Sequence, residues 1–276
     1  MFNRIYQMKN ALICFLTIPV LFFSCKKDSE SEVNSTLTVE QKNRAVVIYF
    51  GEDWCIPCQY FGVPTFDSCL KYEGSILTGI KLNSTSQNNS LNCNIAAGAF
   101  QDFVSGVFSA GTIPSCAVNN VESVISIDIA NNATDILNKA ISFQQDSVIA
   151  GLALDKVVVG YKVQINTKVK FFKSFAAGND FTLGLYIVED NLIMPNIITS
   201  AGLPLVYRNQ VRMANSSYYY GTTINDLEKI DSNQEFTKTT ILYLNTNWDK
   251  NKLKVVGIIW KKGTTPATVV NSNVVM

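Results

Sequence analysis

The sequence predicts a body of two folded parts, an α/β domain over residues 39–146 followed by an all-β antiparallel sandwich over residues 147–276. Three observations carry that expectation. Between Arg44 and Phe143 short β-branched runs alternate with segments of helical periodicity. After Ser147 the pattern changes to long strands in which apolar and polar residues alternate. The 276 residues suffice for two modest domains once a targeting segment is set aside.

In the first part, Arg44 to Phe50 is an apolar, β-branched run suited to a strand buried on both faces. Gly51-Glu52-Asp53-Trp54 turns the chain, and Cys55-Ile56-Pro57-Cys58 opens a helix running through Tyr60, Phe61, Phe66 and Leu70. Pro57 suits a first helical turn, where its missing N–H had no intrahelical partner to lose. Ile76 to Leu82 reads as a second strand and Asn92 to Ala110 as a second helix. Ser115 to Val118, an Asn119-Asn120 turn and Val121 to Ile129 read as a hairpin, and Ala133 to Phe143 as a closing amphipathic helix.

The paired cysteines carry the chemistry. The first turn of a helix presents free N–H groups and the positive end of the dipole, both of which stabilise a thiolate. Cys55 placed there gains nucleophilicity near neutral pH, and Cys58 is near enough to resolve a mixed disulfide by closing a small ring. A static structural disulfide, or a vestigial site on a fold used for binding, is the alternative. Outside Cys14 and Cys25 five cysteines remain, an odd number. If Cys69 pairs with Cys93, Cys116 is left as a small core residue.

Trp54-Cys55-Ile56-Pro57-Cys58 resembles the Trp-Cys-x-Pro-Cys site of thioredoxin-like proteins. Leu77 to Asn83 resembles their second-strand motif, and Thr112-Ile113-Pro114-Ser115 their cis-proline loop. The resemblance implies a thioredoxin-like first domain in which Pro114 is cis and Trp54, Pro57, Ile113 and Pro114 position an extended substrate beside the two sulfurs. It also implies a buried Asp six positions before the first cysteine, yet Tyr49 stands there, while Lys81, the partner of that Asp by resemblance, is retained. A Tyr is too weak a base near neutrality to replace the carboxylate.

In the second part Lys162 to Phe171, Phe181 to Ile187, Thr239 to Leu244, Leu253 to Trp260 and Thr268 to Val275 read as strands of an antiparallel sandwich. Residues 195–221, with Tyr207, Arg208, Gln210 and Arg212 and then Tyr218-Tyr219-Tyr220, read as a long irregular loop. Such a loop suits a protein or glycan surface, but the plainer reading is an edge strand with solvated arginines and a partly buried Tyr cluster.

At the start, Arg4 and Lys9 precede an apolar run from Ala11 to Phe23, of signal-peptide length and short for a membrane span. Residues 1–24 are therefore read as an export signal; Met8 is an equally good start, and a plain secretory signal or uncleaved anchor the alternative. Ser24-Cys25 resembles a bacterial lipobox, which implies lipidation of Cys25 and a location at the outer membrane, on its periplasmic or cell-surface side. Residues 25–38 form a polar tether whose acidic residues resemble surface-export tags.

Lys plus Arg number 23 against 22 Asp plus Glu, so no excess charge favours nucleic acid. The chain has no histidine, which excludes Ser-His-Asp and Cys-His mechanisms. With no second paired-cysteine motif, no metal and no cofactor is expected, and Gln59 after Cys58 removes c-type haem attachment. The layout as a whole resembles the outer-membrane-protein-28-related lipoproteins, in which the segment matching Tyr207 to Arg212 includes histidines; here Arg208 and Gln210 stand in those places. Two functions follow as expectations. One is thiol-disulfide exchange with protein clients through Cys55 and Cys58. The other is a non-catalytic surface binding or adhesion lipoprotein that uses the first domain as scaffold and the sandwich to meet a partner.

Overall fold

Strand β1 (Ala45–Phe50) is buried along its whole length, as its unbroken apolar run requires. In the computed structural model, which describes residues 37–83, 113–125, 127–198, 202–263 and 267–276, it pairs in parallel with β2 (Leu77–Leu82) and antiparallel with β3 (Ser115–Val118). Between β1 and β2 the chain forms a π-helical turn (Cys58–Gly62) that continues directly into α1 (Val63–Leu70). Asn119, with φ of 53°, turns β3 into β4 (Val121–Val124). Helix α2 (Ile129–Gln145) follows, capped by the Asp128 side chain, which accepts from Asn131 N at 3.1 Å. This helix begins four residues before the expected start at Ala133, and the cap at Asp128 ends the strand that the sequence carried on to Ile129.

From Ala150 the chain is all strand. The described elements are β5 (Ala150–Val159), β6 (Lys162–Phe171), β7 (Phe181–Glu189), β8 (Leu192–Ile198), β9 (Pro204–Tyr207), β10 (Gln210–Ala214), β11 (Thr222–Thr223), β12 (Glu235–Tyr243), β13 (Leu253–Lys261) and β14 (Thr268–Val275). Alternation placed β6, β7, β13 and β14 within two residues of these bounds.

The expected fold class, a thioredoxin-like α/β domain followed by an all-β antiparallel sandwich domain, is not what forms. The described residues hold fourteen strands against two α-helices, and one mixed sheet of nine strands runs through both halves in the order β14-β13-β7-β10-β2-β1-β3-β4, with β11 beside β7. Strand β10 enters between β2 and β7, parallel to β2 and antiparallel to β7. It comes from the stretch read as a long loop or an edge strand with solvated arginines, but it lies inside the sheet and Arg212 is buried. The sequence cue failed because Gln210 and Arg212 are polar but buried, with partners supplied by residues distant in the chain.

Side chains on the two faces of this sheet make three cores. On one face α1, α2 and the β8–β9 hairpin cover Val47, Tyr49, Leu77 and Cys116. On the same face, toward β14, the three-stranded sheet β12-β6-β5 lays Leu152, Ile165 and Phe171 over Leu185, Ile187 and Val255, a sandwich whose second layer belongs to the shared sheet. The opposite face closes on itself around Phe50, Ile80, Val188, Val256 and Trp260. There β14 returns to β1: Asn271 accepts from Arg44 N at 2.8 Å and donates to Lys42 O at 2.9 Å, and Ser272 donates to Arg44 O at 3.0 Å. Both side chains are buried, so these bonds replace water that neither group can reach.

Candidate functional site

The buried strand β1 delivers the chain to Gly51, and the turn after it places the two cysteines where the helix starts. Cys55 N donates to Glu52 O at 3.3 Å, and Cys55 and Cys58 are joined as a disulfide. Cys58 N donates to Cys55 Sγ at 3.2 Å, so the first helical turn points an N–H at the sulfur that would carry charge on reduction. Pro57 sits in that turn with φ of −58°, within the range its ring fixes. Cys55 and Cys58 are only 5% and 1% exposed, while Trp54 and Ile56 beside them are 55% and 65% exposed. The disulfide therefore lies just under a small apolar rim.

Tyr49 lies fully buried beneath it and donates from its hydroxyl to Cys58 O at 3.2 Å. Burial pushes the phenol well above its ordinary range, reinforced by Cys116 and Tyr207, so it stays a neutral donor and not a base. A Cβ on either Gly51 or Gly62 would collide with that hydroxyl, and one on Gly62 would come 2.7 Å from Pro114 Cβ. The Ile113–Pro114 peptide is cis, and Pro114 thus rests against the turn that carries Cys58. Of the residues expected at the site, Trp54, Cys55, Pro57 and Cys58 are contiguous, and Pro114 is brought to them from a distant part of the chain. Ile113 packs toward the closed core on the other face of the sheet. Cys25, Cys93 and the helix expected over Asn92 to Ala110 lie outside the described residues. Cys69 is a free thiol, so the pairing with Cys93 is not formed; both it and Cys116 are buried. Burial pushes the Cys69 thiol up to about 12.

Beside Tyr49 stands Lys81, register partner of Tyr49 across β1–β2 and of Gln210 across β2–β10. Its ammonium donates to Asn83 Oδ1 at 2.5 Å and to Gln210 Oε1 at 3.2 Å, and sits 3.8 Å from the centre of the Tyr207 ring. Burial lowers its pKa to about 7, against the opposing pull of the Glu52 and Asp53 charges. From the sequence Glu52 was read only as part of a turn, and Tyr207 and Gln210 only as part of a stretch separate from the cysteines. The acidic pair Glu52-Asp53 next to the cysteines was the available signal for the first; the other two come from a segment no local pattern ties to Cys58.

Beyond Gln210 the seam between the halves is ionic. Lys254 of β13 reaches Glu73 after α1 at 2.9 Å, Asp190 at 2.9 Å and Asn209 Oδ1 at 3.0 Å. Arg208 meets Asp190 at 3.2 Å and Arg212 meets Glu189 at 3.4 Å. Among the described residues no group of three or more His, Cys, Asp or Glu is placed to hold a metal, and no helix is long and apolar enough to cross a membrane.

Fold and site together define a β-rich protein with one sheet shared between its halves and a Cys-Ile-Pro-Cys disulfide at a helix start. No family model matches the chain, and no curated protein matches it. Among solved structures it is similar to HBP35 of Porphyromonas gingivalis, with a TM-score of 0.66 and 14% identity over 86% of this chain and 76% of that one. It is also similar to protein AGR_C_4864 from Agrobacterium tumefaciens, with a TM-score of 0.53 and 12% identity over 86% and 96% of the two chains. These likenesses are of fold alone. A domain of the outer membrane lipoprotein Omp28 from Porphyromonas gingivalis overlaps 47% of this chain and 88% of its own at 8% identity, but its TM-score of 0.27 is too low to argue from.

Proposed function

We propose that this chain is a lipid-anchored protein of the bacterial outer membrane that exchanges disulfides with protein clients through Cys55 and Cys58. The observation that carries the reading is the Cys58 N–H aimed at Cys55 Sγ at 3.2 Å in the first turn of a helix, under an apolar rim of Trp54 and Ile56. In the reduced protein that N–H stabilises a Cys55 thiolate, which attacks a client disulfide; Cys58 then displaces the client thiolate and restores the ring disulfide. Pro114, against Gly62, borders the surface a client segment would cross. The envelope location is supported by Arg4, Lys9, the apolar run to Phe23 and Ser24-Cys25, with lipidation assigned to Cys25.

The low exposure of both cysteines favours one rival, in which the disulfide is a structural link in a non-catalytic binding lipoprotein. Reduction of insulin by dithiothreitol separates the two. The full chain in detergent should accelerate it, and Cys55→Ser should not. Equal rates for both proteins would leave only the rival.

A further inference from the structure

Lys254, Glu73 and Asn209 meet in the seam between the halves as an amine, a carboxylate and a carboxamide shut away from water. Asn209 is fully buried, and the side chains of Glu73 and Lys254 are only 3% and 9% exposed. Lys254 Nζ lies 2.9 Å from Glu73 Oε2 and 3.0 Å from Asn209 Oδ1, so the amide carbon that bears this oxygen is within its reach. The carboxylate spans both groups: Oε2 accepts from the amine, and Oε1 accepts from Asn209 Nδ2. Nδ2 also donates to Gly79 O at 2.9 Å, which clamps the amide in that orientation. Asn209 stands in the turn between β9 and β10 with φ of 49°, Lys254 on β13 and Glu73 after α1, so the three come together only in the assembled fold. A turn alone explains an Asn at positive φ, but not an amine and a carboxylate set against its carboxamide.

We infer that Lys254 and Asn209 are the reactants of an intramolecular isopeptide bond, with Glu73 as the catalytic residue that moves the protons. The inference stands apart from disulfide exchange. Glu73 takes one proton from the ammonium, while Asp190, which also contacts Lys254, keeps Arg208 as its charge partner. The free amine attacks Asn209 Cγ and forms the new C–N bond. Glu73 gives its proton to the former amide nitrogen through Oε1 and accepts one from the attacking nitrogen through Oε2. The old C–N bond breaks, the carbonyl re-forms, and ammonia leaves with the proton that Glu73 holds. The chain thus loses one ammonium ion, one amide replaces another, and nothing is oxidised or reduced. Between free molecules such an exchange is slow; reactants held in contact, with water excluded, are what accelerate it. The bond ties β13 to the turn before β10, across β7, which lies between those two strands.

The test is the intact mass of the folded full chain in detergent, followed on storage at neutral pH and read after denaturation. Allowing for the substitution, wild type should weigh less than Lys254→Arg by the mass of one ammonia, because Arg keeps the charge but is no nucleophile. Trypsin should release from wild type a branched peptide in which residues 209–212 are joined to residues 253–261. Glu73→Gln, which cannot carry the protons, should keep its full mass. Asn209→Asp should lose water in place of ammonia, which keeps the inference testable if Lys254→Arg and Glu73→Gln do not fold. A folded wild type that holds its full mass, or a mass loss without the branched peptide, overturns the inference. The branched peptide in folded Glu73→Gln overturns the part given to Glu73. The ion-pair energy of the seam is read on unreacted chain, which the same mass identifies.

Discussion

Replacing Lys254 by Met tests how tightly the two halves are joined. The ammonium is nearly buried and lies 2.9 Å from both Glu73 and Asp190, themselves largely shielded from water. Removing one partner of a buried ion pair leaves an uncompensated charge, at a cost of about 3–5 kcal/mol. Here Asp190 keeps Arg208, and Glu73 keeps the Asn209 amide, which places the loss near about 3 kcal/mol, the lower end of that range. For a folded body of this size that corresponds to a fall in Tm of about 6–12 °C. Urea denaturation of the full chain at pH 7 measures it directly, with the slope unchanged. Burial alone would raise the Asp190 carboxyl, but hydrogen bonds from Lys254 and Arg208 outweigh it and hold the group below its usual value. A lowered carboxylate stabilises the fold above its unfolded pKa and loses that contribution as pH falls through its folded one, so the gap between wild type and variant narrows in acid. A loss at pH 7 below about 1 kcal/mol, the value of a solvated pair, would refute the account of the seam.

Two further outcomes follow from the site. Burial raises the Asp67 carboxyl to about 6, with Arg208 opposing and Asp190 adding to the shift. The folded state therefore holds a proton that the unfolded chain releases near pH 4, and stability falls as pH rises between about 4 and 6. Asp67→Asn should remove that slope and raise Tm at pH 7, and a lowered Tm at pH 7 would contradict it. Gly62→Ala forces a methyl against the Tyr49 hydroxyl and Pro114, and should cost about 1–3 kcal/mol in urea denaturation, whereas an unchanged midpoint would mean that the Pro114 loop gives way freely.

The local backbone around the two cysteines and Pro114 was more legible than the sheet. Three short motifs named both cysteines, Pro57 and Pro114, because each depends on local backbone chemistry that residue types advertise: a helix start, an X-Pro bond, a turn. Strands β6, β7, β13 and β14 were equally visible as period-two alternation. The interior place of β10 was not, because polar residues suggest at most an edge strand, and Gln210 and Arg212 are buried by virtue of Lys81 and Glu189, which no window around them contains. Its pairing with β2 joins Lys81 to a residue 129 positions away. The expected separation of an α/β fold from a sandwich fails chiefly there, since β10 is what makes the sheet continuous. Tyr49 in place of a carboxylate was noticed from the sequence; that its hydroxyl would hold the Cys58 carbonyl depends on Gly51 and Gly62 leaving room for the ring, which only coordinates reveal.

The return of β14 to β1 sets an order of events for a chain that emerges from its N-terminal end. Ser272 bonds the carbonyl of a residue 228 positions earlier, so the first strand to emerge stays without its final cover until nearly all of the rest has followed. Contacts that far apart are slow to form, and the apolar inner wall of the sheet is open to chaperones or to sticking during that interval. Nascent chains cut short before Thr268 should therefore remain protease-sensitive even where Cys55 and Cys58 have already closed.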